Sequence, residues 1–373
     1  MVRPEISLLV STFERPAHLQ RCLLSIACQK TDSPFEVVVT DDGSADGTRE
    51  LVAEFARTAK FPVRFTTHTH DGFRLAQCRN EGVQASSSPY ILFLDGDCVL
   101  PADHIACHLK FRKPGTAVSG DCCRLEEDAS ATVDESMIRL GGFQHLAPRH
   151  ELGRLAKQHR KAWWYNLINH ATKPKLVGNN IGVWREDYER INGYDERFVG
   201  WGCEDDDLGI RLKRNGVRIR SILNRTFTYH LWHESVPSEP QRWRDGNNVN
   251  YLRRNRRLTR CRHGLTRRES SDLLIRVVQS NQCPALDQLL RLDSALPAQD
   301  SPEVEVLVGT GAEGFRGDAE FNMLVITGRV ELADDDTVQK AEVLVSDQPL
   351  AGLRSDQRQF SFGELDAAFE SIV

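Results

Sequence analysis

The chain has 373 residues, 40% hydrophobic and 27% charged, with a formal net charge of -5 and a pI near 6.2. That length can bury a sizeable core in one large domain or two smaller ones. The composition excludes wholesale disorder, and the acidic balance argues against a dedicated nucleic-acid binder.

The opening "MVRPEISLLVSTF" holds an apolar run too short for a membrane span or a signal peptide, and no stretch reaches about 18 apolar residues. The ten cysteines include no CxxC pair, which fits reduced thiols better than a zinc ribbon or a secreted disulfide frame. A cytoplasmic location is expected, with a peripheral seat at the inner face of the membrane as a variant.

From there the chain alternates buried strands with amphipathic helices. "ISLLVSTF" (6–13) reads as a strand, and Pro16 to Cys28 as a helix with Leu19, Leu23 and Ile26 on one stripe. "FEVVVTDDGS" (35–44) is a second strand, after which Asp46 can cap the helix "GTRELVAEFART". "VRFTTH" (63–68), a helix over Leu75–Ala85 and a strand "YILFLDGDCVL" (90–100) continue the pattern, which predicts an α/β fold with a mostly parallel central sheet. Polar residues gather at the strands' carboxyl ends, in Thr12–Arg15, Asp41–Asp42 and Asp95–Asp97, where open α/β sheets bind ligands.

Beyond residue 116 the pattern is mixed, with an ambiguous amphipathic stretch through 134–170, "LVGNNIGVW", a helix at 204–215 and "RTFTYHL". Ten arginines against one acid lie between Arg242 and Arg268, and sixteen acids against five bases lie between Asp300 and Val373. The basic segment is expected to be helical to about residue 280. After it, "VEVLVG", "FNMLVITGRV" and "KAEVLVS" predict strands of a small acidic α+β module.

"LFLDGDCVL" delivers Asp95 and Asp97 across a glycine to one sheet edge, a pair of hard ligands suited to Mg²⁺ or Mn²⁺, with Gly96 free to let a phosphate approach. A tight turn that needs Asp and Gly is the plainer account of the same residues. Asp41 and Asp42 fit either a turn with an N-cap or a carboxylate that accepts the ring N–H of a pyrimidine base. "TYHLWHE" offers His230 and His233 as candidates to complete a metal shell. "HIACH" (104–108) lacks a glutamate after its first histidine and reads as a helix face. In "GWGCEDDDLGIRL" (200–212), Asp207 can pair with Arg211 one turn on, which leaves Glu204, Asp205 and Asp206 without a structural partner in the sequence. A carboxylate partly desolvated beside Trp201 is shifted toward base duty, and the indole can stack on a sugar.

These stretches together resemble a known family. "LLVSTFERP…VVVTDDGSADGT…LAQCRNEG…LFLDGDCVL" resembles the nucleotide-binding half of inverting family 2 glycosyltransferases of the GT-A fold, and "INGYDERFVGWGCEDDDLGIRL" is similar to the acceptor segment of the β-1,4-galactosyltransferases and their bacterial relatives. The resemblance covers roughly residues 4–260. It implies that Thr12, Glu14 and Arg15 lie near the uridine, that Asp41 binds uracil, and that Arg79 and Asn80 line the nucleotide site. It further implies that Asp95 contacts ribose, and that Asp97 and His230 (alternatively His233) hold Mn²⁺ or Mg²⁺. Glu204 and Asp206 are implied to meet acceptor hydroxyls beside Trp201, and Asp205 to be the catalytic base. Cys203 departs from the pattern, standing where those enzymes usually have glycine.

The implied activity is inverting transfer of a hexose or N-acetylhexosamine from a UDP-sugar, UDP-galactose first, to a saccharide or lipid-linked saccharide in surface polysaccharide, lipopolysaccharide or glycoconjugate synthesis. The expected organisation is a nucleotide-sugar half (1–115), an acceptor half (116–240), the basic segment (241–280) and the acidic module (281–373). Arg242–Arg268 has three readings: a solvated face paired with the acidic tail, a flap over the diphosphate, or a patch touching anionic lipid. Competing functions are nucleotidyl transfer to sugar phosphates, for which "STFERPAHL" lacks a glycine-rich loop, and a non-catalytic carbohydrate- or membrane-binding module.

Overall fold

The computed structural model describes residues 3–234, 246–255, 258–279, 283–296, 301–309, 314–326, 336–350, 353–354 and 357–372. They fall into two compact units, Met1–Leu252 with Thr259–Leu265, and Arg253–Leu258 with Thr266–Val373.

The first unit is built on β1 (Ile6–Thr12), β2 (Phe35–Asp41), β3 (Val63–Thr67) and β4 (Tyr90–Asp95), with α1 (Pro16–Ala27), α2 (Thr48–Thr58) and α3 (Leu75–Ala85) between them. These four strands are parallel and stand side by side in the order β3-β2-β1-β4. The sheet continues through β8 (Asn180–Trp184), β6 (Thr116–Ser119) and β9 (Arg218–Ser221), and β8 alone runs the other way. The expected mostly parallel α/β sheet is therefore present. Alternate strand residues feed two cores: Leu8, Val10 and Leu92 pack with Leu19 and Leu23 of α1, while Leu9, Ile91 and Phe93 pack on the opposite face with Val83 of α3. Burial on both faces explains why β1 and β2 read as continuous apolar runs. Asp46 accepts the Thr48 N–H at 3.0 Å and so serves the start of α2.

The run "YILFLDGDCVL" is two strands. β4 ends at Asp95, Gly96 donates its N–H to Ser11 O at 2.7 Å, and β5 (Cys98–Val99) joins a different sheet. That three-stranded sheet has the order β5-β10-β7, with β7 at Cys122–Arg124 and β10 at Thr228–His230. Its antiparallel register sets His230 opposite Cys98, one residue from Asp97. After β5 come α4 (His104–Phe111) and α5 (Glu127–Ala131); the ambiguous stretch is mostly helical, with α6 (Glu135–Leu140) and α7 (Arg149–Leu167), and α8 (Arg185–Arg190) precedes α9 (Glu204–Arg214).

The second unit differs from the sequence expectation in two respects. Ile275–Gln279, expected to be helical, is the strand β11, because its alternate residues have a sheet to join. With β12 (Val304–Val308), β13 (Phe321–Val325), β14 (Val343–Val345) and β15 (Arg358–Phe360) it forms a five-stranded sheet in sequence order, parallel throughout. The module is thus α/β and not α+β. Its strands are sandwiched between Leu286, Leu289 and Phe369 on one face and Val338 and Ala341 on the other. Arg268 makes a two-pronged pair with Glu303, both contacts 2.7 Å. Burial of Arg262 and Arg268, 3% and 5% exposed, removes both from any surface patch. Arg242, Arg244, Arg256 and Arg257 lie outside the described residues.

Candidate active site

The carboxyl ends of β1, β2 and β4 lie in register, Thr12 beside Asp41 and Ser11 beside Asp95. Asp41 is buried, with Oδ2 accepting from Ser44 N at 2.9 Å and Thr67 Oγ1 at 2.8 Å, and Oδ1 from Ser44 Oγ at 2.5 Å. Glu14 is left-handed at φ 45° and donates its N–H to Ser44 Oγ, which holds the Thr12–Arg15 turn against Asp41. Asp42 is spent on structure, accepting from His68 Nε2 and from Arg74 N, while His68 Nδ1 meets Glu81.

Gly96 is tightly packed. A Cβ there would lie 3.0 Å from Ser11 O and 3.2 Å from Thr12 Cβ, so any side chain would press on β1.

α3 presents Arg79 and Asn80 to the interior, each 1% exposed. The Arg79 guanidinium reaches Asp205 Oδ1 at 2.9 Å, Tyr194 Oη at 3.1 Å and Asp95 Oδ1 at 3.3 Å. Burial works against its charge, and the acidic groups around it, Asp205 and Asp95 among them, more than compensate. Asn80 is taken up by contacts within the protein. Its amide donates to Tyr194 O and Glu196, its carbonyl accepts from Tyr188 Oη and Tyr194 N, and no hydrogen-bonding capacity remains.

Past Gly96 the side chains diverge. Asp95 turns to Arg79, while Asp97 faces His230 Nε2 at 3.5 Å, His233 Nε2 at 3.3 Å and Arg15 at 3.6 Å. Burial raises the Asp95 carboxyl to about 6 against the pull of Arg79, with Asp97 adding repulsion. Burial opposes ionisation of Asp97 too, but His230, His233 and Arg15 hold it down at about 2. One potential ligand atom from each of Asp97, His230 and His233 lies within 4.8 Å of the others. An oxygen and two imidazole nitrogens at that spacing fit a borderline-hard divalent ion such as Mn²⁺. Both histidines stand within that distance of Asp97 and of each other. The pair in "HIACH" is placed otherwise: His104 and His108 are fully buried, bonded to Thr226 and Asn180, and burial pushes His108 down to about 4.

The acidic run opens α9. Gly200, Gly202 and Cys203 precede it with φ of 80°, 96° and 77°. Cys203 therefore occupies a left-handed position that favours glycine, which accounts physically for the residue it replaces in the resembling enzymes. The four acids then diverge in role. Asp207 and Arg211 form the expected i, i+4 pair, fully buried, with Nε to Oδ2 at 2.8 Å. Asp206 pairs with Lys175. Asp205 accepts from Arg79 and Tyr194 on Oδ1 and from Gly178 N at 2.8 Å on Oδ2. Glu204 is 8% exposed, and its Oε2 has no hydrogen-bond partner among the described residues. Burial, with repulsion from Asp205, lifts its carboxyl to about 8. Trp201 is half-buried just ahead of the helix.

Sequence reasoning missed Tyr194, Gly178 and Lys175, all of which touch the acidic run. Tyr194 sits inside "INGYDERF" and Gly178 inside "LVGNNIGVW", stretches already singled out, but nothing in one sequence pairs them with Asp205.

Residues 7–129 match the family described as glycosyl transferase family 2, and residues 164–234 match the N-terminal domain of galactosyltransferase. The two matches together support a family 2 glycosyltransferase. The chain is 28% identical over 259 residues to validoxylamine A glucosyltransferase of Streptomyces hygroscopicus subsp. limoneus, an alignment covering 63% of this chain and 52% of that protein. It is 35% identical over 242 residues to the hyaluronan synthase of Pasteurella multocida, covering 59% of this chain and 24% of the synthase. The chain thus spans about half of the first relative and a quarter of the second. Among solved structures it is similar to the mannosyltransferase PcManGT from Pyrobaculum calidifontis in complex with GDP-Man and Mn²⁺, with 21% identity, a TM-score of 0.43, and coverage of 69% of this chain and 61% of that one. Among the described residues no helix is long and apolar enough to cross a membrane.

Proposed function

We propose that the chain is a metal-dependent, inverting GT-A glycosyltransferase that moves a hexose or N-acetylhexosamine from a UDP-sugar, UDP-galactose first, to a saccharide hydroxyl. The observation that carries this reading is the Arg79 bridge, which sets the acid run of α9 a guanidinium's width from Asp95 at the end of β4. A donor held at one and an acceptor held at the other would meet between them. Relatives named for glucosyl transfer and hyaluronan synthesis support a role in polysaccharide or glycoconjugate assembly.

In this reading Asp205 is the base. Arg79, Tyr194 and Gly178 fix its carboxylate, and Oδ2, with a single bond from Gly178, keeps a lone pair for the proton of the acceptor hydroxyl. The acceptor oxygen bonds to the anomeric carbon as the bond to UDP breaks on the opposite face. Glu204, protonated below about pH 8, offers an O–H to an acceptor oxygen, and Asp206 accepts from a second hydroxyl. Trp201 supplies an apolar face for the sugar. Asp41 and the Thr12–Arg15 turn hold the uridine. A divalent ion bound by Asp97, His230 and His233 would neutralise the departing diphosphate.

The test is a donor screen by UDP release with mono- and disaccharide acceptors, run on the wild type and on Asp205→Asn. Transfer should fall by at least about 10²-fold in the variant, with UDP affinity kept. Near-normal turnover would remove Asp205 from the role of base, and no UDP release from any sugar nucleotide would remove the transferase.

A further inference from the structure

α7 has two unlike faces. Leu155, His159, Ala162 and Asn166 recur at helical spacing on the inner one. Leu155 and Ala162 are buried, His159 bonds Ser221 at 3.0 Å, and Asn166 donates to Ile219 O at 3.0 Å, which seats the helix on β9. The other face has no such contacts with the described residues at its carboxyl end. Trp163 and Trp164 are each 59% exposed, and Leu167 and Ile168 each 61%. Four large apolar side chains within six positions, standing in water, cost hydration free energy that a folded chain ordinarily avoids.

The same face is basic. Lys157, Arg160 and Lys161, one to two turns before the aromatic pair, are exposed, and among the described residues none of the three is in an ion pair. From Arg149 to Lys175 the chain has seven bases against the single acid Glu151, and Glu151 is turned inward to Arg154 and Arg124 N. Cations one to two turns from a cap of tryptophan, leucine and isoleucine are the pattern of a helix that lies against a bilayer. Indole rings settle at the headgroup level, aliphatic tips pass below it, and the cations meet anionic lipid. A self-association face would be expected to place acids opposite these bases, and this face has none.

We infer that the exposed face of the carboxyl half of α7 docks the protein on an anionic lipid bilayer. The chain leaving that face returns within a few residues to Lys175 and Gly178, which touch Asp206 and Asp205, so docking would set the acidic run close to the membrane surface. The attachment does not depend on what reaction the protein performs. It also differs from a contact through Arg242–Arg268.

The experiment is flotation of the full chain with phosphatidylcholine vesicles, with and without phosphatidylglycerol, in the absence of donor and metal. The wild type should float with the anionic vesicles, less so as salt rises, and brominated lipid should quench its tryptophan emission. Trp163→Ser with Trp164→Ser should weaken partitioning at least about ten-fold and abolish the quenching. Lys157→Glu with Arg160→Glu and Lys161→Glu should remove the preference for anionic lipid. Trp163→Phe with Trp164→Phe should keep binding, which separates a lost contact from a lost fold. A wild type that stays with the soluble fraction at low salt, or serine and glutamate variants that float with anionic vesicles as well as it does, would overturn the inference. So would a dimer in sedimentation that only the serine variant dissociates, since the face would then belong to a second copy.

Discussion

Asp95, at the end of β4, and Asp205, in the first turn of α9, share the buried guanidinium of Arg79, whose Nη2 lies 3.3 Å from one carboxylate and Nη1 2.9 Å from the other. A strand end and a helix start distant in sequence are thus held at one spacing by a side chain 1% exposed. Arg79→Met leaves both carboxylates without their cation. The expected loss is about 3 kcal/mol of stability, the low end for a broken buried pair because each carboxylate keeps an edge in solvent. Arg79→Lys keeps charge without the fork and should lose less stability while still losing transfer. Urea unfolding of both variants checks this, and wild-type stability in Arg79→Met would refute it.

Gly178 is the second fixed point of that arrangement. A Cβ there would lie 2.4 Å from Arg79 Nη2 and 2.6 Å from Asp205 Oδ2. Neither group can yield without breaking the bridge, so Gly178→Ala should reduce UDP-sugar turnover by at least about ten-fold while the chain still folds. Gly153 is the control. It lies in α7 with nothing within 4 Å of a Cβ, and Gly153→Ala should leave turnover unchanged and add about 0.5–1 kcal/mol through helix propensity.

What the sequence made legible divides along physical lines. The parallel sheet followed from continuous apolar runs, because burial on both faces leaves that imprint on β1, β2 and β4. The Asp207–Arg211 pair followed from helical spacing alone. The double role of "LDGDC" was hidden, since Asp95 and Asp97 part company only when β5 joins a second sheet and brings His230 across from Cys98. The contacts of Asn80 were hidden for a similar reason. The resemblance implies a place for it in the nucleotide site, whereas the partners it has in the fold, Tyr188 and Tyr194, arrive from far along the chain. The all-parallel second sheet went unseen because its first strand, Ile275–Gln279, follows directly on an arginine-rich segment.

Among the described residues, Asp97 is the one carboxylate that His230 and His233 both face. Asp97→Ala should abolish any enhancement of UDP affinity by Mn²⁺, and His230→Ala and His233→Ala should each weaken it. Titration calorimetry of UDP with Mn²⁺ and with a chelator measures this. An unchanged metal effect in Asp97→Ala would count against the site, and an effect lost in only one histidine variant would reduce the shell to that residue. His104→Ala tests specificity, because that imidazole is packed against Thr226 and should leave the metal effect untouched.

Glu204 carries a pH signature that can be read without substrate. Its carboxyl titrates near 4.5 when exposed and near 8 in the folded chain, where burial comes first among the causes and repulsion from Asp205 second. Between those values the folded state holds a proton that the unfolded state has released, so Glu204 makes stability fall as pH rises through the window and adds no slope above it. Glu204→Gln cannot ionise. Its stability relative to the wild type should therefore rise between about pH 4.5 and pH 8, by on the order of 3–5 kcal/mol over the whole window. The unpartnered Oε2 is replaced by an amide with its own unmet bonds, so a constant offset is expected and only the slope is diagnostic. Urea denaturation at several pH values measures it. Parallel curves for the two proteins would mean that Glu204 is ionised at neutral pH and cannot donate a hydrogen bond to an acceptor.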